Sequence, residues 1–350
     1  MKKVRIGIIG CGGIANGAHI RQLNDVKEAE IVALCDIDEE KLKNTAEKVG
    51  VDEAHRFENY KDLIACPDVD AVEICTPNHL HVPMAIEAVR AGKPFNCEKP
   101  LALDFRQATE LKNALEKRNI PNMMCFSYRF HPAVRYAKYI LSKGLIGKVI
   151  SINVEYLKSS ALWKGRRLEW RFIKEYAGTG VLGDLGVHLI DMASFLVGDF
   201  HEICANFGTV VKERQKIGSD EWGKVETDDY CNFLATIGDG VSANFAITGC
   251  ALGNANTIKY DIFGTEGVIS FNLNDPSVLG VCIGEIDRMS ESLHFVKVPD
   301  KFKISQEQMF TNLVLGKECE YLPTVYDGLA CQKILDAAVL SAEEKRFVTV

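Results

Sequence analysis

The fold is decided near the start of the chain by Val4-Arg5-Ile6-Gly7-Ile8-Ile9-Gly10-Cys11-Gly12-Gly13-Ile14-Ala15. The first six of these residues form an apolar run that predicts a buried β-strand, and a glycine-rich turn follows it. A helix is expected from Ala15 to Val26, and a second apolar run, 29–34, leads to Asp36. This order of strand, glycine turn, helix, strand and terminal acid predicts a dinucleotide-binding unit in a parallel sheet.

Each position in the turn has a physical role toward a pyrophosphate. Gly10 makes the tight turn, and Gly12 lacks a Cβ, so its backbone can approach the phosphates. Gly13 and Ile14 complete the turn before Ala15, where a small side chain lets helix and strand pack closely. The start of the helix then offers N–H groups and a positive dipole end to the anion. The alternative, a glycine turn in some other α/β domain, does not call for the acid that ends the second strand.

Asp36 indicates which dinucleotide is bound. It lies twenty-one residues beyond Ala15, the distance at which an acid reaches the adenosine ribose hydroxyls. A carboxylate there repels a 2′-phosphate, and Ile37 stands where an arginine would have favoured that phosphate. We therefore expect NAD rather than NADP, with Asp36 and Ile37 next to the ribose.

The composition is that of a globular protein with two domains. The 350 residues are 47% hydrophobic and 25% charged, and the net charge of −7 without a basic block argues against a nucleic-acid partner. Twelve scattered cysteines without a C-x-x-C pair favour reduced thiols in a cytoplasmic protein over disulfides or zinc. No run of about twenty apolar residues predicts a membrane span, and the glycine turn argues against a signal peptide.

Alternating strands and helices continue to about residue 125. Strands are expected at 69–75, 94–97 and 122–125, and helices at 39–49, 59–64, 83–91 and 104–117. This alternation predicts an α/β fold with a doubly wound parallel sheet, which binds ligands at the carboxyl ends of its strands. The loops at 10–15, 36, 76–81 and 98–100 should therefore lie on one side of a Rossmann domain, residues 1–125.

The pattern changes in residues 126–350, which we assign to an α+β substrate-binding and oligomerisation domain. Long alternating runs joined by short, glycine-rich connections predict a large, mostly antiparallel open sheet. The runs are 149–157, 202–211, 230–237, 241–248, 257–263 and 268–272, and the helices are 133–142, 182–197 and 326–342. An open sheet needs cover, so we expect a homodimer or homotetramer formed through this sheet.

Glu98-Lys99-Pro100 ends one of the parallel strands on the side expected to face the nicotinamide. A lysine there can donate a hydrogen bond to a substrate oxygen and stabilise developing alkoxide charge. The alternative is a solvated loop lysine with an ordinary ion pair.

Asp184 and His188 give the second chemical signal. They are four residues apart in a glycine-rich helical segment, so they share one helix face. A carboxylate can orient an imidazole that acts as a general acid or base. Two alternatives are a metal site that also includes Asp191, and a structural histidine with Asp184 complementing the helix dipole. No cluster of His or Cys supports the metal site, and we expect none.

Four motifs together give the chain a family resemblance. They are Gly10-x-Gly12-x-x-Ala15, Thr76-Pro77-Asn78-x-x-His81, Glu98-Lys99-Pro100 and Asp184-x-Gly186-x-His188. In this order and spacing they resemble the glucose–fructose oxidoreductase/inositol dehydrogenase (Gfo/Idh/MocA) family over nearly the whole chain. The resemblance implies a Rossmann domain, a second domain whose open sheet often builds the oligomer, an NAD or NADP cofactor, carbohydrate substrates and no required metal.

The resemblance also implies roles for individual residues. Lys99 and His188 would flank the reacting hydroxyl carbon, and Asp184 would bind substrate and couple to His188. The residues implied around the cofactor are Thr76, Pro77, Asn78, His81, Glu98, Lys99, Arg129, Trp170 and Arg171, of which Arg129 could instead reach the substrate. Trp163 is a candidate neighbour of further substrate hydroxyls, with a mobile charged loop as the alternative.

We therefore expect an NAD-dependent oxidoreductase that acts on a hydroxyl-bearing carbon of a sugar, polyol or related carbohydrate. Two alternatives remain. In the first, NAD is retained as an internal redox shuttle, for example in glycoside cleavage by oxidation and elimination. In the second, the protein is a non-enzymatic dinucleotide sensor, against which Lys99, Asp184 and His188 argue.

Overall fold

The computed structural model describes residues 3–350, which divide into two compact units. The first unit runs to Phe126 and also includes Ser305–Leu329, and the second consists of Ser127–Ile304 and Ala330–Val350. The sequence interpretation divided the chain once, between residues 125 and 126, and did not anticipate that Ser305–Leu329 returns to the first unit.

The returning segment is tied to the last strand of the first unit. The Met124 N–H donates to the carbonyl of Pro323 over 3.0 Å, and the Val325 N–H donates to Asn122 Oδ1 over 2.9 Å. These bonds join residues about two hundred positions apart, so no local pattern announces them.

A six-stranded, all-parallel sheet forms the core of the first unit. Its strands are Val4–Ile9 (β1), Ala29–Cys35 (β2), Arg56–Phe57 (β3), Ala71–Ile74 (β4), Phe95–Cys97 (β5) and Asn122–Met124 (β6). Their order in the sheet is β3-β2-β1-β4-β5-β6, which is that of a doubly wound dinucleotide-binding domain. The α/β fold class predicted from the sequence is confirmed for this unit.

The helices of this unit begin and end at residues suited to those positions. They are Ile20–Leu23, Glu39–Val49, Tyr60–Ala65, His81–Ala91, Phe105–Lys117 and Gln306–Val314. Asp38 and Asp104 cap two of them by accepting N–H bonds from Lys41 and Gln107. The helix after the glycine turn passes through a π-helical segment, Ala15–His19, and ends at Leu23 rather than at the predicted Val26.

A nine-stranded sheet forms the core of the second unit, in the order β16-β15-β14-β13-β7-β12-β11-β8-β17. Only the pair β7 and β12 is parallel, so the predicted mostly antiparallel sheet is confirmed. The strands of this unit are Val149–Leu157 (β7), Phe200–Gly208 (β8), Glu213–Gln215 (β9), Trp222–Lys224 (β10), Tyr230–Ile237 (β11), Val241–Thr248 (β12), Thr257–Gly264 (β13), Gly267–Asn272 (β14), Val278–Ile283 (β15), His294–Lys297 (β16) and Val348–Thr349 (β17). Strands β9 and β10 pair with each other outside the large sheet.

Helices pack on one face of this sheet. The longer ones are Pro132–Ser142, Val187–Leu196 and Val325–Glu344, and a shorter one is Lys174–Ala177. A further short helix, Glu285–Ser290, has no buried residue. Alternation along the strands turns large apolar side chains to the covered face, where the rings of Phe233 and Phe245 stack 4.2 Å apart. The Tyr260 hydroxyl donates to the carbonyl of Leu189 over 2.5 Å and ties a helix to the sheet.

One segment within residues 3–350, Lys174–Leu196, meets a length-and-hydropathy criterion for a membrane span. The protein itself buries 67% of that window, as is usual for a core helix of this kind.

Candidate active site

Four of the predicted cofactor loops follow strands of one parallel sheet. Gly10 follows β1, Asp36 follows β2, Thr76 comes two residues after β4, and Glu98 follows β5. Parallel strands end at one edge of their sheet, and neighbouring strands lie about 4.8 Å apart. The order of strands therefore sets these loops side by side along one edge, as Asp36, Gly10, Thr76 and Glu98.

The glycine turn is built closely on its neighbours on one side and is open on the other. Gly10 has φ +97°, and a Cβ there would lie 2.7 Å from the carbonyl oxygen of Cys75, so only glycine fits without strain. A Cβ built at Gly12 or Gly13 would meet no atom within 4 Å. Ala15 is fully buried. An open surface before a helix start is the cradle that a pyrophosphate requires, so the residues present fit a dinucleotide.

Asp36 lies against this turn. One carboxylate oxygen accepts the Cys11 N–H over 2.7 Å, and the other accepts the Asp38 N–H over 2.9 Å. Ile37 is 92% exposed and adds no positive charge. The carboxylate therefore belongs to the same surface as the glycine turn, as the spacing in the sequence predicts.

The loop after β4 is fixed by a buried histidine. Pro77 precedes a short 3₁₀ turn, Asn78–Leu80, and His81 begins the following helix. His81 Nδ1 lies 2.7 Å from the carbonyl oxygen of Pro100, and Nε2 lies 2.9 Å from that of Thr76. Burial lowers the pKa of His81. A neutral ring has one N–H, so it donates to one of these two carbonyls at a time.

The loop after β5 carries Lys99. Its N–H donates to Glu98 Oε2 over 3.1 Å, and the Glu98 N–H donates to the carbonyl of Ile74 over 2.9 Å. The peptide bond between Lys99 and Pro100 is cis. Glu98 is 8% exposed, so the lysine backbone is held by a buried acid.

In the second unit, Asp184 lies in a π-helical segment, Leu182–Gly186, that continues into the helix containing His188. Both motif helices of this chain thus contain π-helical turns, which often occur at functional sites. His188 is 7% exposed.

The glycine-rich residues before that helix pack closely against the backbone of Asp228. Asp228 accepts the N–H groups of Gly180 and Leu182 over 2.5 and 2.8 Å. A Cβ at Gly180 would lie 2.0 Å from the carbonyl oxygen of Asp228. Sequence reasoning missed Asp228, which acts as the cap of this helix although it lies more than forty residues away.

Two tyrosines, also missed, accompany His188. The Tyr128 ring centre lies 4.5 Å from that of His188, and the Tyr128 and Tyr156 hydroxyl oxygens are 2.9 Å apart. The Tyr156 hydroxyl also donates to Asn256 over 3.0 Å. Burial, with a smaller effect of Tyr128 and Asp184, raises the pKa of Tyr156. Tyr156 could have been found from the alternation along 149–157, which turns it to the covered face.

Arg129 has a structural partner within the second unit. Its guanidinium bonds both carboxylate oxygens of Asp191 over 2.6–3.0 Å and lies 5.2 Å from the centre of the Phe195 ring. The pair is buried. Asp191 thus serves an ion pair, and a role of Arg129 toward cofactor or substrate stays a prediction.

The remaining predicted residues lie in the segment between β7 and the Asp184 helix. Trp163 is 59% exposed. Trp170 begins a short 3₁₀ helix, and the Arg171 guanidinium lies 4.3 Å from the centre of its ring. The carbonyl of Arg171 accepts the Thr227 hydroxyl. Their roles toward a ligand also stay predictions.

Comparison with known proteins gives the same family over both units. Residues 4–125 match the oxidoreductase family with an NAD-binding Rossmann fold, and residues 134–270 match the Gfo/Idh/MocA C-terminal domain. Levoglucosan dehydrogenase of Pseudarthrobacter phenanthrenivorans is 38% identical over 232 residues, covering 62% of this chain and 60% of that protein. Glucose-6-phosphate 3-dehydrogenase of Bacillus subtilis is 30% identical, covering 79% of this chain and 76% of that protein.

A solved structure of levoglucosan dehydrogenase in complex with NADH and L-sorbose resembles the whole chain. Its TM-score is 0.90 at 30% identity, covering 100% of this chain and 99% of that one. The family and fold expected from the sequence motifs are thus confirmed, and so is NAD as the cofactor. The chain is an NAD-binding oxidoreductase of the Gfo/Idh/MocA family.

Proposed function

We propose that the protein transfers a hydride between NAD and a hydroxyl-bearing carbon of a sugar, polyol or related carbohydrate. The observation that carries this proposal is the position of Lys99, on the loop after β5 in the sheet that carries the glycine turn. The named relatives, which are dehydrogenases of levoglucosan and glucose 6-phosphate, support a carbohydrate as the substrate class.

The order of loops along the sheet edge supports the role of Lys99. A dinucleotide whose ribose meets Asp36 and whose pyrophosphate meets Gly10 extends past Thr76 toward β5. Lys99 is the cationic side chain of the β5 loop. Its charge stabilises the oxygen of a carbinol as that oxygen loses its proton.

His188 takes the hydroxyl proton in this proposal, and Asp184 binds substrate and orients the histidine. The C–H hydrogen leaves as a hydride while the O–H proton goes to the imidazole, so the carbinol becomes a carbonyl. Bound NAD supplies the hydride acceptor. The ring of Tyr128 beside His188 restricts the imidazole to a limited range of orientations.

The proposal is tested by following NADH absorbance with NAD⁺ and a panel of inositols, aldoses, anhydrosugars and sugar acids. We expect NADH formation with one group of substrates. Lys99→Ala should lower kcat by about 100-fold or more, as loss of an oxyanion-stabilising donor does, with NAD affinity within a few-fold. Lys117→Ala, an exposed lysine in the same unit, is the matched control. If Lys99→Ala turns over at the wild-type rate, the proposed role of Lys99 is refuted.

We further propose that the exposed face of the nine-stranded sheet is covered by a second copy of the chain, in a homodimer or homotetramer. Its central strands expose mostly uncharged side chains, with Glu155 as a charged exception. The uncharged ones include Asn153, Asn206, Asn232, Leu234 and Asn244. Leu234 is 51% exposed. Light scattering should give a mass of two or four chains for the wild type and a smaller mass for Leu234→Lys. A monomeric wild type would refute the proposal.

A cytoplasmic location is also proposed. The twelve cysteines, all within the described residues 3–350, are free thiols, as expected in a reducing compartment. Fractionation of the native host would test it, and recovery outside the cytoplasm would contradict it.

A further inference from the structure

A buried polar cluster lies within the first unit, next to the loop that carries Lys99. Its centre is His19, which is 1% exposed and belongs to the helix after the glycine turn. Its ring is surrounded by carboxyls from three other parts of the unit. His19 Nδ1 lies 2.8 Å from Glu73 Oε2 and 3.2 Å from Glu307 Oε1, while Nε2 lies 3.0 Å from Glu98 Oε1.

Two of the three carboxyls in this cluster are as buried as the histidine. Glu73 and Glu307 are each 0% exposed. Asn96 donates to Glu73 over 2.9 Å, and Gln306 donates to Glu307 over 3.1 Å. Glu307 comes from the returning segment Ser305–Leu329, so that segment completes a cluster begun by the nucleotide-binding helix.

The ring of His19 faces several acidic groups. Burial by itself lowers the pKa of His19, but Cys75, Cys125 and Glu307 together outweigh it, and the pKa lies well above its ordinary value. The titratable groups facing the ring are Glu73, Cys75, Cys97, Glu98, Cys125 and Glu307. Burial raises the pKa of all three thiols.

The pKa of one of the carboxyls is also raised. Burial and the charge of Glu307 raise the pKa of Glu73 well above its ordinary value. Each ring nitrogen of His19 faces a carboxyl oxygen, so a ring that is protonated on both nitrogens can donate on both sides.

The distances distinguish a hydrogen-bonded cluster from a metal site. His19, Glu73 and Cys75, like His19, Glu98 and Cys125, bring potential ligand atoms near each other. Ligands about 2.0–2.1 Å from a tetrahedral zinc lie about 3.3 Å apart. The 2.8 and 3.0 Å separations from His19 to Glu73 and Glu98 are instead those of charge-assisted hydrogen bonds.

The cluster connects directly to Lys99. Glu98 Oε1 lies within hydrogen-bond distance of His19 Nε2, and Glu98 Oε2 accepts the Lys99 N–H. On the other side of the same loop, His81 lies against the Pro100 carbonyl. The loop is therefore held on both sides by buried imidazoles, but only His19 is surrounded by carboxyls.

We propose that His19 is a positioning residue for Lys99: by donating to Glu98 it fixes the carboxylate that holds the Lys99 backbone. The proposal rests on the role of Lys99 in the function proposed above. Glu73 and Glu307 hold the opposite nitrogen and set the orientation of the ring. A misplacement of about 1 Å at a catalytic group costs about 100-fold in rate, so this support should be visible in kcat.

Two conservative variants separate the two sides of the ring. The amide nitrogen of glutamine occupies the position of Nε2, so His19→Gln keeps a donor toward Glu98. The amide nitrogen of asparagine occupies that of Nδ1, so His19→Asn keeps only the donor toward Glu73 and Glu307. Both variants remove the charge and are matched in chemistry. His55→Gln, in the same unit and paired with Asp52 at the surface, is the control.

We expect His19→Asn to lower kcat by about 10–100-fold, with KM and NAD affinity within a few-fold. His19→Gln should restore kcat to within a few-fold of the wild type. Equal kcat values in the two variants would overturn the proposal, because a merely structural role has no preference between the two nitrogens. If His19→Asn does not fold, Glu307→Gln weakens the hold on His19 Nδ1 and should lower kcat by a few-fold, with KM and NAD affinity unchanged. An unaltered kcat in Glu307→Gln would overturn the proposal.

Lys99→Ala, measured in the same series, separates this proposal from the proposed function. A wild type that turns over and does not depend on Lys99 refutes the function. A wild type that depends on Lys99 but does not distinguish His19→Gln from His19→Asn refutes only the positioning role.

Discussion

Replacement of Asp36 by alanine tests how the cofactor is recognised. The carboxylate accepts the N–H groups of Cys11 and Asp38 over 2.7 and 2.9 Å, which fixes it beside the glycine turn. Asp36→Ala removes both this bridge and the acceptor for the adenosine ribose. Cys11 is 3% exposed, so its N–H is left without an acceptor, at a cost of about 1–3 kcal/mol in folding stability.

The effect on cofactor preference is larger and separable. A charge-assisted hydrogen bond to the ribose contributes about 1.5–3 kcal/mol, or about 10–150-fold in NAD affinity. A carboxylate about 4 Å from a 2′-phosphate charge repels it by about 1 kcal/mol in water and about 4 kcal/mol near a protein surface. Removing that repulsion strengthens NADP binding by at least about fivefold. The preference for NAD should therefore fall by at least about 50-fold.

The assay compares kcat/KM for NAD⁺ and NADP⁺ at a temperature well below unfolding, so that lost stability cancels in the ratio. Asp38→Ala is the matched control, because the Asp38 side chain caps a helix by accepting the Lys41 N–H over 3.1 Å and pairs with Lys41 Nζ over 2.6 Å. It should cost about 1 kcal/mol of stability and leave the ratio unchanged. An unaltered ratio in Asp36→Ala would mean that another residue recognises the ribose.

Three further predictions concern the base, a glycine and the buried histidine. His188→Ala should remove the rise of the oxidation rate with pH that an imidazole base produces; a persisting rise would exclude His188. Gly180→Ala should lower the free energy of unfolding by at least about 1–3 kcal/mol, because the Cβ would lie 2.0 Å from the Asp228 carbonyl oxygen. Chemical denaturation measures this loss. Gly17→Ala is the control, because a Cβ there meets nothing within 4 Å. Because the pKa of His19 is raised in the fold, its stabilising effect is complete below about pH 6.5 and is lost as pH rises through the folded-state pKa. The unfolding midpoint should therefore fall less steeply with rising pH in His19→Gln than in the wild type. An equal slope in the two proteins would contradict this.

Local patterns predicted much of both sheets. Strands Val149–Leu157, Tyr230–Ile237 and Val241–Thr248 have the bounds that alternation indicates. For the last two, a short glycine-rich hairpin also fixes the register. The glycine turn could be predicted because the φ of +97° at Gly10 favours glycine, and a glycine is visible in the sequence.

Contacts between distant residues could not be predicted in this way. His19 meets Glu73 and Glu98 across 54 and 79 residues, and its helical position alone is compatible with an apolar core or with solvent. The return of Ser305–Leu329 to the first unit depends on backbone bonds such as that from Met124 to Pro323, for which side-chain patterns carry no signal. The contact between the rings of Tyr128 and His188 likewise joins residues that are distant in sequence, so it could not be predicted.

Transfer of deuterium from substrate to cofactor tests the central claim most directly. The active substrate, deuterated at the reacting carbinol carbon, is incubated with NAD⁺ and the wild-type protein, and the NADH released is examined by mass spectrometry. We predict NADH that carries the deuterium at the nicotinamide, with transfer strongly reduced in Lys99→Ala. Substrate conversion without deuterated NADH in solution would contradict the proposed dehydrogenase and favour NAD retained as an internal shuttle.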